Sequence, residues 1–341
     1  MAYTTINKHT DYFNTLLYSG TGSATTVSGV GFQPDFFWIK QRSSNQGHLF
    51  WDVTRGGNYY LPSNGTAGSN ADIGTFTAAS DGYSLATDGA YNGSSETYVG
   101  WNWKAGTTSG LTTNGTTTIT PTSYSFNSTA GFSILKYTGN GAAGAYVAHG
   151  LGTTPTMIIV KKTSGSAGWF VYHQKLQSTY NIYLNTTDAE FGGAYVYSPD
   201  ATNFRLRDHN DVNQNGETYV AYCFADKTGY SKFGSYTGNG ASDGTFIYTG
   251  FKPKLIILKR TDTTGNWVIE DNKRIGYNEL NYHLYPNLQN AEGTNYFIDQ
   301  VSNGFKIRGS SGDTNGSGGS YIYMALGQSL VGSNNIPCTA R

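Results

Sequence analysis

The sequence predicts an all-β protein of three tandem β-sandwich domains, jelly-roll or lectin-like, generated by an internal repeat of about 100–120 residues. The first observation behind this is a segment written three times. Pro34, Pro155 and Pro253 each lead into an apolar run and then, six residues on, a lysine: Lys40, Lys161 or Lys259. The second is that other landmarks keep step. Pro155 follows Pro34 by 121 residues (155 − 34), and Phe204 and Tyr219 follow Tyr83 and Tyr98 by the same 121 (204 − 83, 219 − 98). The third copy is tighter, with 98 residues from Pro155 to Pro253, 101 from Phe204 to Phe305 and 102 from Tyr219 to Tyr321. The third observation is the want of helical periodicity: short aromatic and β-branched runs alternate with Gly, Asn, Asp and Ser. A repeat this long has the size of a self-sufficient domain rather than of a solenoid unit.

In the first copy, strands are expected at 15–19, 26–30, 35–42, 48–54, 58–61, 74–78, 83–87 and 96–103. The runs 36–39, 157–160 and 255–258 are apolar throughout, so they are expected as central strands covered on both faces. Tyr137-Thr138-Gly139-Asn140-Gly141 and Tyr236-Thr237-Gly238-Asn239-Gly240 match Tyr18-Ser19-Gly20-Thr21-Gly22, and Asn-Gly supplies the positive φ of a tight hairpin. Asn92-Gly93, Asn215-Gly216 and Asn315-Gly316 stand before the last strand of each copy and read as the turn that aligns it. The resulting domains are 1–105, 132–229 and 230–329. A Thr/Gly/Ser-rich 106–131 is either a linker or an extra edge hairpin, and 330–341 is a tail. Copies two and three join with almost no slack and are expected to pack rigidly.

Charged residues make up 13% of the chain and the net charge is zero, which argues against nucleic acid or an anionic membrane as a partner held by a basic surface. Aromatic residues at 15% supply a core that a disordered chain lacks. The N-terminus shows no basic segment followed by an apolar run, and no apolar stretch reaches the roughly 20 residues of a bilayer span. The expectation is a soluble protein made in a cytoplasm, with no signal peptide and no membrane insertion. Cys223, inside a strand run, is expected to pack as a small hydrophobe; Cys338 lies in the tail, and a disulfide between them has only the count in its favour.

Several residues invite a chemical reading. Asp211, Asn213 and Asn215 precede Gly216 in the spelling D-x-N-x-N-G, the first half of a calcium loop, but Tyr222 stands where such a loop places its bidentate Glu. A polar hairpin turn is the favoured reading, and no metal or cofactor is expected. Asp52, His173 and Asp271 share one repeat position, as buried polar residues satisfied by backbone would; Glu96 and Glu217 share another, replaced by Gly319, as surface residues at a strand start. A catalytic group would more naturally be unique to one copy, and no nucleophile elbow or hydrolase histidine motif is present. The copies differ most in 63–73, 185–199 and 286–295, where loops on a shared scaffold could carry recognition. Asn64, Asn70, Asn185, Tyr195, Tyr197, Asn287 and Asn290 are the candidate ligand-binding residues there, suited to stacking on sugar rings and bonding their hydroxyls. Solvated loops with no ligand explain the same composition.

Met1-Ala2-Tyr3-Thr4-Thr5-Ile6, Leu17-Tyr18-Ser19-Gly20, the run at 31–40, Thr129-Ala130-Gly131-Phe132-Ser133-Ile134 and the ending Ile336-Pro337-Cys338-Thr339-Ala340-Arg341 carry a resemblance along essentially the whole chain. It resembles virion structural proteins of tailed bacteriophages, chiefly marine and cyanobacterial, of the tail-fibre or fibre-like kind; Cys338 departs from the small or β-branched residue expected there. The resemblance implies a place on the virion, as tail fibre, spike or head fibre, with other virion proteins or a host-surface glycan as partner. A homotrimer is the default for such an appendage, although three domains in one chain could themselves form a threefold knob. The resemblance brings no catalytic residues. A purely structural capsid decoration protein is the runner-up, and a capsule polysaccharide depolymerase the third reading.

Overall fold

The computed structural model describes residues 3–71, 76–276, 278, 281–296 and 298–332. Among them the only helical elements are the single turns His9–Asp11 and Gly89–Asn92; everything else regular is antiparallel β-sheet, and no helix is long and apolar enough to cross a membrane. The all-β expectation holds, and seven of the eight strands expected in the first copy are present; of the eighth, at 74–78, residues 74 and 75 lie outside the described residues and Thr77–Ala79 is a strand.

Each copy has a large and a small sheet. In copy one the large sheet runs Phe13–Ser19, Thr97–Trp103, Phe36–Gln41, Leu49–Asp52, and the small one Thr25–Ser28, Gly82–Leu85, Thr77–Ala79. Copy three repeats this order, with Ser231–Thr237, Ser320–Gln328, Lys252–Arg260 and Trp267–Asp271 in its large sheet. Copy two widens its large sheet to seven strands.

The strands that follow Pro34 and Pro155, Phe36–Gln41 and Met157–Lys162, are buried at every position. Alternation of side chains across a strand explains why both faces must be covered. Phe37 and Ile39 pack against the small sheet of their own copy, whereas Phe36 and Trp38 point the other way into a cluster that all three copies share. Ile158 and Val160 against Met157 and Ile159, and Ile256 and Leu258 against Leu255 and Ile257, divide identically. The three tandem units therefore share a core in addition to their own. Each has its own interlayer core, and a fourth core, lined by Phe36, Phe50, Trp103, Met157, Tyr222 and Ile257 among others, lies where the large sheets face one another.

Segment 106–131, expected as a linker or an extra edge hairpin, adds one edge strand and one bridge to copy two. Ser123–Asn127 extends the large sheet, while Ile119 bridges to Val147 at the edge of the small one. It is tied to copy one as well, since the Asp35 carboxylate accepts from Ala105 N (2.9 Å) and the Ser125 hydroxyl (3.0 Å).

Two turn readings need correction. The segment containing Asn140-Gly141 joins Phe132–Thr138 to Ala145–Ala148, which lie in different sheets, so it is a crossover between layers and not a tight hairpin. Gly141 does take positive φ (67°). Secondly, the partner of Asn92 and Asn315 is Asn213, not Asn215. Their amide oxygens accept from Thr21 N, Asn140 N and Asn239 N at 2.9–3.0 Å, pinning each crossover to the loop before the last strand. A stacked tyrosine pair grips the same loop. Tyr18 on Tyr98, Tyr137 on Tyr219 and Tyr236 on Tyr321 stack at 4.8–5.3 Å, and their hydroxyls donate to loop carbonyls such as Tyr91 O and Gly89 O.

Candidate functional site

The polar residues that invite chemistry form the joints between copies. Asp52 is fully buried and accepts from Thr54 N, the Thr54 hydroxyl, Arg55 N and Arg55 Nε (2.6 Å), and from the Tyr222 hydroxyl of copy two at 2.7 Å. Asp271 does the same in copy three, with Arg274 Nε at 2.7 Å and Trp101 Nε1 of copy one at 3.0 Å. His173 completes the cycle: Nδ1 accepts from Lys175 N and Nε2 donates to Tyr323 O of copy three at 3.2 Å. Backbone satisfaction at this position is as expected; the reach into the next copy is what sequence reasoning missed. Its one signal was the shared repeat position itself.

The variable loops form a second cycle. Copy two donates Trp169 Nε1 to Pro62 O (2.8 Å) and Lys161 Nζ to Thr66 O (2.9 Å), and takes Ser69 N on Thr163 O. Copy three donates Trp267 Nε1 to Tyr183 O (2.9 Å) and Lys259 Nζ to Thr187 O (3.2 Å), and takes Glu190 N on Thr261 O. Copy one donates His48 Nε2 to Tyr285 O (2.8 Å) and takes Glu292 N on Arg42 O. Arg42 adds a bidentate pair with Glu292, which Arg274 also meets at 3.1 Å. The first half of each loop is thus an arm lying on the next copy.

Several residues expected to serve recognition have partners within the chain. Asn64, Asn185 and Asn287 are equivalent, and their amide oxygens accept from His48 N, Trp169 N and Trp267 N at 2.8–3.0 Å, which fixes the arm to its own sheet. Tyr195 is stacked on His209 at 3.7 Å, and Tyr197 lies beneath the Arg205 guanidinium at 5.0 Å. Asn290 is exposed; the side chain of Asn70 lies outside the described residues, as does Cys338. The calcium candidates do not gather: Asp211 accepts from the Tyr183 hydroxyl, Asn213 holds the crossover, and Asn215 is exposed. Among the described residues no group of three or more His, Cys, Asp or Glu could hold a metal ion. Glu96 sits at its strand start as expected, bonded to the Ser43 hydroxyl. Cys223 packs in the interlayer core of copy two, where burial pushes its thiol up to about 12.

Burial disfavours charge on several lysines and histidines, at these joints and within single copies. It holds Lys40 down to about 7 and Lys161 and Lys259 to about 8, and brings His173 and His149 to about 4. Glu270, buried between the two sheets of copy three with neither carboxyl oxygen bonded, is raised well above the carboxylate range by the same cause.

Among the open clefts is one of about 580 Å³ between copies two and three, lined by Lys175, Gln177, Glu190, Asp262, Ser320 and Tyr321 among others. The Glu190 carboxylate is steadied by Gln177 N and Nε2, and Asp262 by Arg260 and Ser320 N. At the boundary of copies one and two the corresponding positions, Thr54, Ser69 and Ser164, are uncharged; at that of copies three and one Lys273 and Glu292 repeat Lys175 and Glu190, but Ser43 replaces Asp262 and Glu292 is spent on Arg42 and Arg274. The cleft therefore offers balanced charge, amides and hydroxyls in a volume suited to a small polar ligand. No curated protein and no solved structure matches the chain. A family model described as Domain of unknown function (DUF7483) matches residues 8–329.

Proposed function

The chain thus belongs to the DUF7483 family, a domain of unknown function, and from the resemblance its sequence carries we propose a non-enzymatic structural protein of a tailed-phage virion. In this reading it is part of a tail fibre, spike or head fibre and contacts a host-surface glycan or another virion protein. The observation that carries it is the division of labour among polar groups. The Asp52, His173 and Asp271 position, with Lys161 and Lys259, is committed to joints within the body, while the cleft between copies two and three keeps Lys175 and Asp262 exposed. A homotrimer, made outside this chain's own ring of three copies, is the assembly proposed for the appendage.

Host-polysaccharide arrays probed with the wild type and with a Lys175→Ala/Gln177→Ala double variant test the glycan contact. Saturable binding that the double variant loses supports it. No binding by the wild type at about millimolar concentration sinks it. Electron cryomicroscopy of the particle tests the location, and a footprint on the major capsid protein at tens to hundreds of copies would replace the fibre by a decoration protein.

A further inference from the structure

The small sheets of copies two and three present the same edge strand, Ala145–Ala148 and Phe246–Tyr248, with Val147 paired to Phe204 and Ile247 to Phe305. In copy two this edge is covered by the chain itself. Thr118 N and Ile119 N donate to Tyr146 O (3.0 and 2.9 Å), Ala148 N donates to Ile119 O (3.4 Å), and Tyr146 N donates to the Thr118 hydroxyl (2.8 Å). Ile119 runs parallel to Val147 and is buried in the interlayer core. Copy three has no counterpart of 106–131, because Phe224 to Tyr230 leads straight into its first strand.

Its edge is open. Thr245 O and Thr249 N bond inward, to Ile307 N and Asn303 O, so alternation turns the backbone groups of Phe246 and Tyr248 outward, as it turns those of Tyr146 and Ala148. Those side chains are also the most exposed large hydrophobics described, at 47% and 62%, where copy one places Thr26 and Ser28. An open edge with exposed aromatics is a template for a further strand.

We infer that the edge Phe246–Tyr248 is a docking site for an extended peptide segment of another protein, added parallel to it as 117–119 is added to Ala145–Ala148. The occupant's chemistry follows from the internal precedent: a hydroxyl residue to accept from the N–H of Phe246, then a β-branched apolar residue to enter the sheet, with main-chain bonds supplying affinity. The inference stands apart from the glycan cleft and from a place on a virion.

The test uses the full chain and a labelled peptide, Gly-Thr-Thr-Thr-Ile-Thr-Pro (residues 115–121), titrated by fluorescence anisotropy. Saturable binding is expected, weakened at least about tenfold by Tyr248→Pro, which removes an outward N–H and leaves the inward ladder intact. Ser28→Pro, on the matching edge of copy one, should leave it unchanged. Phe246→Lys, judged alongside by its unfolding midpoint, covers the event that the proline variant fails to fold. No saturable binding up to about 1 mM, binding indifferent to both edge variants, or self-association of the wild type that those variants abolish would each overturn the inference.

Discussion

Acidification should loosen this protein through histidines whose geometry forbids a second proton. His48, His149 and His173 share one arrangement: Nε2 donates to a carbonyl (Tyr285 O, Asp200 O, Tyr323 O) while Nδ1 accepts from Trp38 Nε1, Leu151 N and Lys175 N. Protonation would set two N–H groups head to head in a buried site. His149 and His173 are brought from 6.5 to about 4, with burial as the first cause. A depressed folded pKa means stability that is complete above 6.5 and lost as pH falls towards 4. At about 1.4 kcal/mol per pH unit, each of the two costs about 2 kcal/mol by pH ~5 and about 3 kcal/mol once both states are protonated. Urea unfolding at about pH 7.5 and about pH 5 should therefore differ by roughly 4 kcal/mol from this pair, with His173→Gln removing its own share of about 2 kcal/mol. Equal stability at the two pH values would refute the argument.

The lysines extend the slope in the other direction. With folded values of about 7 to 8 against 10.5, Lys40, Lys161 and Lys259 make stability keep rising above neutrality, until buried tyrosines with raised values, such as Tyr83, reverse it above about pH 10. A stability maximum near neutral pH in a urea series would contradict this. Tyr222→Phe, which deletes one charge-assisted bond to Asp52 and keeps the ring, should cost about 1.5–3 kcal/mol in equilibrium unfolding. Glu270→Leu should stabilise by about 1–3 kcal/mol, because a carboxyl without partners is replaced by an apolar group of similar size; a destabilised variant in the same assay would reject that account. Calorimetry should give one cooperative transition for the whole chain, and 106–229 expressed alone should not fold, since its large sheet would bare its share of the common core.

The framework was legible because side-chain chemistry enforces it. A strand buried on both faces needs the apolar runs after Pro34, Pro155 and Pro253, and the stacked tyrosine pairs need Tyr98, Tyr219 and Tyr321 in register. The contacts of the arms were not legible in the sequence for the opposite reason. They meet the next copy through Pro62 O, Thr66 O, Tyr183 O, Thr187 O and Tyr285 O, and backbone carbonyls leave side-chain identity free to differ. The common core was hidden for a further reason. Alternation shows that Phe36 and Trp38 face away from Phe37 and Ile39, but it does not say what covers the second face. Asn213 was passed over for Asn215 because Asn-Gly is the more familiar spelling, whereas spacing from Asn92 selects Asn213 (213 − 92 is 121).

The arms all run one way round. Copy one reaches copy two, copy two reaches copy three, and copy three returns to copy one through Tyr285 and Glu292. A directional contact of this kind is heterologous, and among separate subunits it either shuts into a ring or grows into an open filament. Here the count of three within one chain shuts it, leaving neither a free arm nor a free seat. A fragment of two copies would carry one of each, and its natural fate is head-to-tail growth rather than a smaller closed body.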